Sequence, residues 1–217
     1  MIKTMGTLLL VLGISVSGFA AKPKANETLQ KLSKNYRTAK LVEMSVEKTV
    51  KLELQGRETK YEGTIFVANG KFRWENTKPE NTLLIFDGTT IWSVQYPPKE
   101  FGGAPQVARG KVDKKTKSQI LISSLLGGDI EKSFKVVKED KSGDTSKIQV
   151  EPQGGDLQVK SLNLVIDTKK KQLTEISYQD DIGNLTTMKF SDIKFSKKAD
   201  NSKFKFQVPK DAQVTDL

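Results

Sequence analysis

Between Val42 and Leu54 the apolar residues fall on every second position: Val42, Met44, Val46, Val50, Leu52 and Leu54. Glu43, Ser45, Glu47, Thr49, Lys51 and Glu53 stand between them, and Lys48 alone breaks the apolar set. Alternation of this kind predicts a long strand with one apolar and one wet face. Just before it the period is different. Leu29, Leu32 and Tyr36 repeat at i, i+3 and i+7 behind Asn26, a good N-cap residue, which predicts an amphipathic helix over Asn26–Thr38. Its apolar stripe has to be covered by another element.

Turn chemistry then divides the chain. Gln55-Gly56-Arg57 turns the long strand into a second one over Lys60–Ala68, and Asn69-Gly70 leads to a third over Lys71–Glu75. Asn-Gly is a strong hairpin signal because both central residues of a type I′ turn need positive φ. Leu83–Phe86 and Thr90–Val94 flank a second such turn, Asp87-Gly88. The stretch "QYPPKEFGGAPQVARG" is rich in Pro and Gly and is expected to be a long loop. Ser118–Leu126 is expected to be a helix stopped by Gly127-Gly128, with a further helical turn over Asp129–Phe134. Strands are then expected over Phe134–Glu139, Lys147–Glu151, Gln158–Asp167, Gln172–Gln179, Leu185–Phe195 and Lys203–Val208. About eleven strands with a few short helices predict one large antiparallel sheet, strongly curved, with helices on one face: a mainly β (α+β) architecture.

Composition adds the compartment. Met1-Ile2-Lys3 is a short positive segment, Met5–Val16 is apolar, and Gly18-Phe19-Ala20 supplies small residues for cleavage. Residues 1–20 are expected to be a cleaved signal peptide and 21–217 a single exported domain, since the apolar run is shorter than the roughly 20 residues of a membrane span. The 217 residues carry a net charge of +10 and contain no Cys and no His. Export without Cys means that stability has to come from the core rather than from disulfides. The lysines at 111, 114, 115 and 117 form one basic cluster; Lys169–Lys171 and Lys197-Lys198 form others. Nucleic acid is not an expected partner, because these clusters lack interleaved aromatic residues.

Chemistry is thin. Without His or Cys the commonest general base, thiolate nucleophiles and structural zinc are missing. No phosphate-binding loop or dinucleotide fingerprint is present. Asp180-Asp181 sits in a turn signal. The expectation is a binder and not an enzyme, with no cofactor and no metal.

Both tryptophans of the chain lie in "GKFRWENTKPENTLLIFDGTTIW", residues 70–92. Phe72 and Trp74 share one parity, Leu83 and Ile85 share theirs, and Trp92 follows the Asp87-Gly88 turn. An ordinary core would also use such residues. The stretch resembles the outer-membrane lipoprotein carrier family, LolA. The likeness rests on Gly63 in a strand, Phe72-x-Trp74, Pro79 and Asp87-Gly88-x-x-x-Trp92, and extends to "YQDDIGN" at Tyr178–Asn184 and "FKFQVP" at Phe204–Pro209.

The resemblance implies an unclosed antiparallel β-barrel whose helices form a lid over the concave face. It implies a periplasmic carrier, expected to be a monomer, that shields the acyl chains of lipoproteins in an apolar cavity. Its expected partners are acylated lipoproteins as cargo, an inner-membrane ABC-type lipoprotein-releasing complex and an outer-membrane lipoprotein acceptor. Phe72, Trp74, Leu83 and Ile85, with Ile122 and Leu125 from the lid, are expected to line the cavity. Lys111, Lys114, Lys115 and Lys117 are candidates for docking on a partner. Family members place an Arg at the start of the turn before the Phe-x-Trp strand, where it latches the lid; here that position is Ala68, and Arg73 points by parity to the opposite face. The alternatives are an envelope lipid or stress sensor of the same fold, a carrier of another amphiphile, a secreted hydrolase using carboxylates, and a structural envelope protein.

Overall fold

The computed structural model describes residues 26–68, 70–112, 125–126, 130–153 and 159–216. Helix α1 spans Glu27–Thr38. The strands are β1 (Leu41–Leu52), β2 (Arg57–Ala68), β3 (Lys71–Lys78), β4 (Thr82–Phe86), β5 (Thr90–Gln95) and β6 (Gln106–Lys111). After a short helix α2 (Ile130–Ser133) come β7 (Phe134–Ser142), β8 (Thr145–Pro152), β9 (Leu162–Asp167), β10 (Gln172–Gln179) and β11 (Leu185–Ser196). A single 3₁₀ turn (Asn201–Phe204) and β12 (Gln213–Asp216) end the chain. The described strands form one twelve-stranded, unclosed sheet in the order β12-β6-β5-β4-β3-β2-β1-β11-β10-β9-β8-β7.

The long alternating strand is β1, and it is the spine of the sheet. It pairs antiparallel with β2 on one side and β11 on the other. Val42, Met44 and Val46 are buried on the face that also carries Ile65 and Val67 of β2 and Phe190 and Met188 of β11. This is the inner face. It forms one continuous core reaching from Phe86 on β4 to Phe134 on β7.

Helix α1 covers that face as its stripe predicts. Thr28, Leu29, Leu32, Ser33 and Tyr36 are buried. Asn26 caps the helix, its side chain accepting from the Leu29 amide at 2.9 Å. The same side chain donates to Glu139 of β7 at 2.8 Å, where Thr28 and Ser146 also donate, at 2.6 and 2.7 Å. Lys141 stands 3.4 Å from the carboxylate. Burial acts to raise the pKa of Glu139, but these hydrogen bonds and the Lys141 charge together hold it below the usual carboxylate range. At the other end of α1, the Tyr36 ring meets Phe195 of β11 edge-on at 5.0 Å, and its hydroxyl accepts from the Leu173 amide of β10 at 3.3 Å. The helix therefore runs from β7 to β11. Its twelve residues are about 18 Å long, close to the roughly 19 Å of four strand spacings.

The opposite, outer face is covered by the C-terminal segment over β2–β6 and the start of β1. Phe204 packs with Phe66 and Ala68. Phe206 packs at a tilt against Trp92, 5.4 Å between ring centres, beside a cluster of Leu83, Ile85, Val94 and Val107. Phe66 lies in the run Ile65–Ala68, and Leu83 and Ile85 in the run Leu83–Phe86; both runs are apolar without alternation because both faces of these strands are wholly or, at Leu84, partly buried.

Three expectations are corrected here. The Pro/Gly-rich stretch ends in a strand, β6, paired with β5. Only Val107 of β6 is buried, too little apolar patterning to announce a strand after Pro97, Pro98 and Pro105. Lys203–Val208 is not a strand: it crosses the outer face, where Phe204 and Phe206 alternate against the sheet without ladder partners. It delivers β12 to β6, and that pair is parallel, so the sheet is not wholly antiparallel. The expected helix over Ser118–Leu126 lies outside the described residues, except that Leu125 and Leu126 are helical and buried in the main core.

Candidate functional site

Burial along the inner face is graded. At the end where α1 enters β1, Val42, Met44, Ile65, Val67, Phe72 and Phe86 are buried. Toward the other end of the same strands, Lys48, Val50, Tyr61, Trp74, Leu84 and Tyr178 are only half-buried. Registry sets this. Trp74 lies between Ile65 on β2 and Leu84 on β4, and Lys48 lies between Tyr61 on β2 and Met188 on β11. The contacts that fix α1, at Glu139, Leu173 and Phe195, all lie away from this end.

Trp74 and Lys48 dominate the open end. The Lys48 ammonium is 5.5 Å from the Trp74 ring centre and 5.3 Å from that of Tyr61. Burial lowers its pKa below the ordinary lysine value. The Trp74 indole nitrogen and the Asn76 Oδ1 are buried without a hydrogen-bond partner, although the Asn76 amide donates to Thr82 at 2.8 Å. Gly63 sits at a shift in the β2–β3 register and lets the two backbones close up: a Cβ there would lie 2.1 Å from the Glu75 carbonyl oxygen. That glycine therefore sets the path of β3 just beyond Trp74.

The expected cavity residues divide between two faces. The register Phe72↔Phe86 and Trp74↔Leu84 puts Leu84 and Phe86, not Leu83 and Ile85, on the face of Phe72 and Trp74. Leu83 and Ile85 belong to the outer cluster with Trp92. Leu83 also lines a 510 Å³ cavity with Arg73, Tyr96, Pro97 and Pro105. Parity within each strand agrees with the sequence reading; the cross-strand register, which no single strand encodes, differs from it by one residue. Leu125 joins the inner core with Phe72, and Ile122 lies outside the described residues. So do Lys114, Lys115 and Lys117, while Lys111 is exposed at the end of β6.

The Asp87-Gly88-x-x-x-Trp92 motif is structural. The Asp87 carboxylate accepts from the amides of Thr89 and Thr90 at 2.9 and 2.8 Å and from the Thr89 hydroxyl at 2.9 Å, and Trp92 donates to it as well. Burial pushes the Asp87 pKa up, and these hydrogen bonds outweigh it to leave the carboxyl below its usual range. Asp180 serves its turn in the same way, accepting from the amides of Ile182 and Asn184. Arg73 lies on the outer face as parity predicts, paired with Glu75 and donating to the Lys203 carbonyl at 3.3 Å. Ala68 is buried against Phe204, so neither residue reaches the inner face.

The hydrophobic patterning also marks Lys48, which the expected cavity residues do not include. It is the single charge in the apolar parity of β1, and it stands beside Trp74 at the open end.

These features define a class: a half-barrel whose inner face is sealed by a helix at one end and left half-exposed, apolar and aromatic at the other. A family model described as "Outer membrane lipoprotein carrier protein LolA" matches residues 37–207, and the chain belongs to this family. It is 30% identical over 166 residues to an outer-membrane lipoprotein carrier protein of Cupriavidus necator, covering 74% of each chain. It is 26% identical over 218 residues to one of Coxiella burnetii, covering 94% of this chain and 95% of the other. Among solved structures, an uncharacterized conserved protein from Thermus thermophilus matches 88% of this chain and 98% of its own with a TM-score of 0.54 at 15% identity, a likeness of fold.

Proposed function

We propose that this protein is a periplasmic carrier that shelters lipoprotein acyl chains on the open end of its inner face. The observation that carries the reading is the exposure gradient: Trp74 and Leu84 continue the buried Phe72–Phe86 surface without a break, yet stay half-exposed. An apolar chain entering there extends an existing core. Each buried CH₂ contributes about 0.8 kcal/mol, so the site needs no catalytic group. It needs an aromatic wall and a cover that gives way. Export by a cleaved segment over residues 1–20 and exchange with an inner-membrane releasing complex and an outer-membrane acceptor complete the proposal. The exposed Lys111 and the neighbouring lysines at 114, 115 and 117 are the proposed docking surface.

The test is binding of a fluorescent fatty-acyl probe, together with mass spectrometry of what co-purifies from the native envelope. The parent binds the probe and carries acylated protein. Trp74→Ala weakens the probe by about tenfold or more, as expected for losing an aromatic contact of about 1.5–3 kcal/mol. Parent protein that binds no acyl probe and carries no acylated cargo overturns the reading.

A further inference from the structure

Single apolar side chains scattered over a surface are ordinary, but here they gather at one end. Among the described residues the most exposed large apolar side chains are Phe101, Leu54 and Ile182, at 85, 84 and 65%. Leu54 lies in the β1–β2 turn, Ile182 in the β10–β11 turn and Phe101 in the β5–β6 loop. The antiparallel pairings make β1, β5 and β10 run in one direction. All three connections therefore leave the sheet at the same end, the one where Val50, Trp74 and Tyr178 are only half-buried. The two turns adjoin across the β1–β11 pair, and the Glu53 amide donates to Asn184 Oδ1 at 3.2 Å. Both turns are internally braced: the Gln55 amide donates to the Leu52 carbonyl at 3.3 Å, and Asp180 accepts from the amides of Ile182 and Asn184 at 3.1 and 2.9 Å. Beside the tips, Glu53 pairs with Lys51 at 3.6 Å and Asp181 with Lys160 at 3.5 Å, so Leu54 and Ile182 stand as apolar points among paired charges. Separate points cannot form the contiguous buried centre of a protein interface, yet each can sink by itself into a lipid surface.

We propose that these connections form a membrane-docking rim: Leu54 and Ile182, with Phe101 as a third point, insert into the outer part of a lipid bilayer and hold the open end of the inner face against it. The inference rests on the carrier reading and deepens it, because it names the surface at which the acyl chain enters and leaves. A chain that passes directly between the Trp74 surface and the bilayer is never released into water, where each exposed CH₂ would be unfavourable. Attachment through so few side chains is weak and reversible, as a shuttle requires. Apolar burial drives it, so neutral lipid suffices.

The experiment loads the protein with a fluorescent fatty-acyl probe and follows its transfer to phosphatidylcholine vesicles that carry a quencher. Transfer from the parent is expected to be collisional, its rate rising in proportion to vesicle concentration. The double variant Leu54→Ser/Ile182→Ser is expected to transfer about tenfold more slowly, at a rate nearly independent of vesicle concentration. Its probe affinity and melting temperature should match the parent's, since both side chains are exposed and neither touches the Trp74 surface. Phe101→Ser is expected to fall between the two. A parent rate that ignores vesicle concentration, or a double variant as fast as the parent, overturns the rim, while probe binding upholds the carrier. A parent that binds no probe overturns the carrier reading and the rim with it. Transfer that requires anionic lipid and stops at high salt assigns docking to the lysines and overturns the apolar rim. Sedimentation of parent and double variant closes the test: a parent dimer that the double variant breaks would make the tips an interface between copies of this chain and overturn the lipid assignment.

Discussion

Phe72 and Trp74 stand two residues apart on one face of β3, yet one is sealed and the other is not. Phe72 is 1% exposed and tilts against Phe86 at 6.1 Å between ring centres. Trp74 is half-exposed, with an unmet N–H and a lysine at its face. The sheet is continuous between them, so the difference comes from what lies over it. The sealed half owes its burial to α1 and to residues such as Leu125 that join the same core; the open half has no comparable cover from α1. One strand thus supplies both the core that holds the fold and the surface offered to a ligand.

The largest effect should separate these halves. Phe72→Ala is expected to lower stability by about 3–5 kcal/mol, the range for emptying a buried aromatic site. Trp74→Ala should lower it by no more than about 2 kcal/mol, with its main effect on acyl-probe affinity. Chemical denaturation of both variants checks this. If Trp74→Ala is as destabilising as Phe72→Ala, the open end is ordinary core and the contrast fails.

Gly63 tests how the two halves are joined. With a Cβ placed 2.1 Å from the Glu75 carbonyl oxygen, Gly63→Ala forces backbone apart from backbone. A loss of about 1–3 kcal/mol is expected, together with weaker probe binding as β3 shifts beyond Trp74. Thermal melts and probe titration of one sample measure both. Intact binding in a destabilised variant would show that the open end tolerates movement of β3.

The sealed half has its own polar fastening, the Glu139 carboxylate that holds Asn26 and Thr28. Glu139→Gln is expected to cost about 1–2 kcal/mol at neutral pH, since hydrogen bonds to a charged acceptor are the stronger kind. Because the folded-state pKa of Glu139 lies below its ordinary value of 4.5, its contribution is complete above that value and is lost as pH falls through the depressed folded pKa. Parent and variant melting temperatures should therefore converge on acidification below about pH 4.5. A gap that stays constant to pH 2 would assign the effect to shape rather than to charge.

Much of the fold was legible because its signals are local. The alternation of Val42–Leu52, the stripe of Leu29, Leu32 and Tyr36, and the Asp87-Gly88 turn each specify an element on their own. What escaped was whatever depends on partners far along the chain. The side of β4 that faces Trp74 follows from its register with β3, and the strand character of β6 follows from neighbours β5 and β12. Leu83 and Ile85 look like inner-face residues until the register places them on the outer face, beside Phe206 and Ala212 from the C-terminus. For the site, Phe72-x-Trp74 was visible as a motif, but which of its two rings is only partly buried depends on where α1 stops, and no local pattern records that.

The smallest effect concerns the charge at the open end. Burial lowers the pKa of Lys48 from 10.5, so the unfolded chain holds this proton more tightly than the folded one. Stability contributed through Lys48 is therefore least below the depressed folded pKa, rises as pH climbs through it, and levels off above the unfolded value. Lys48→Met removes that dependence. At neutral pH the variant is expected to be as stable as the parent or more so, by about 0.5 kcal/mol or less, because cation–π contact with Tyr61 and Trp74 offsets much of the desolvation. On alkaline titration toward pH 10 the gap should close from the parent's side. Phe72 is itself uncharged and packs against Phe86, so the stability gap between Phe72→Leu and the parent should stay constant across the same alkaline range. A Lys48→Met variant clearly less stable than the parent would mean that the ammonium is a fold-stabilising contact, and the sealed and open halves would then differ in exposure but not in purpose.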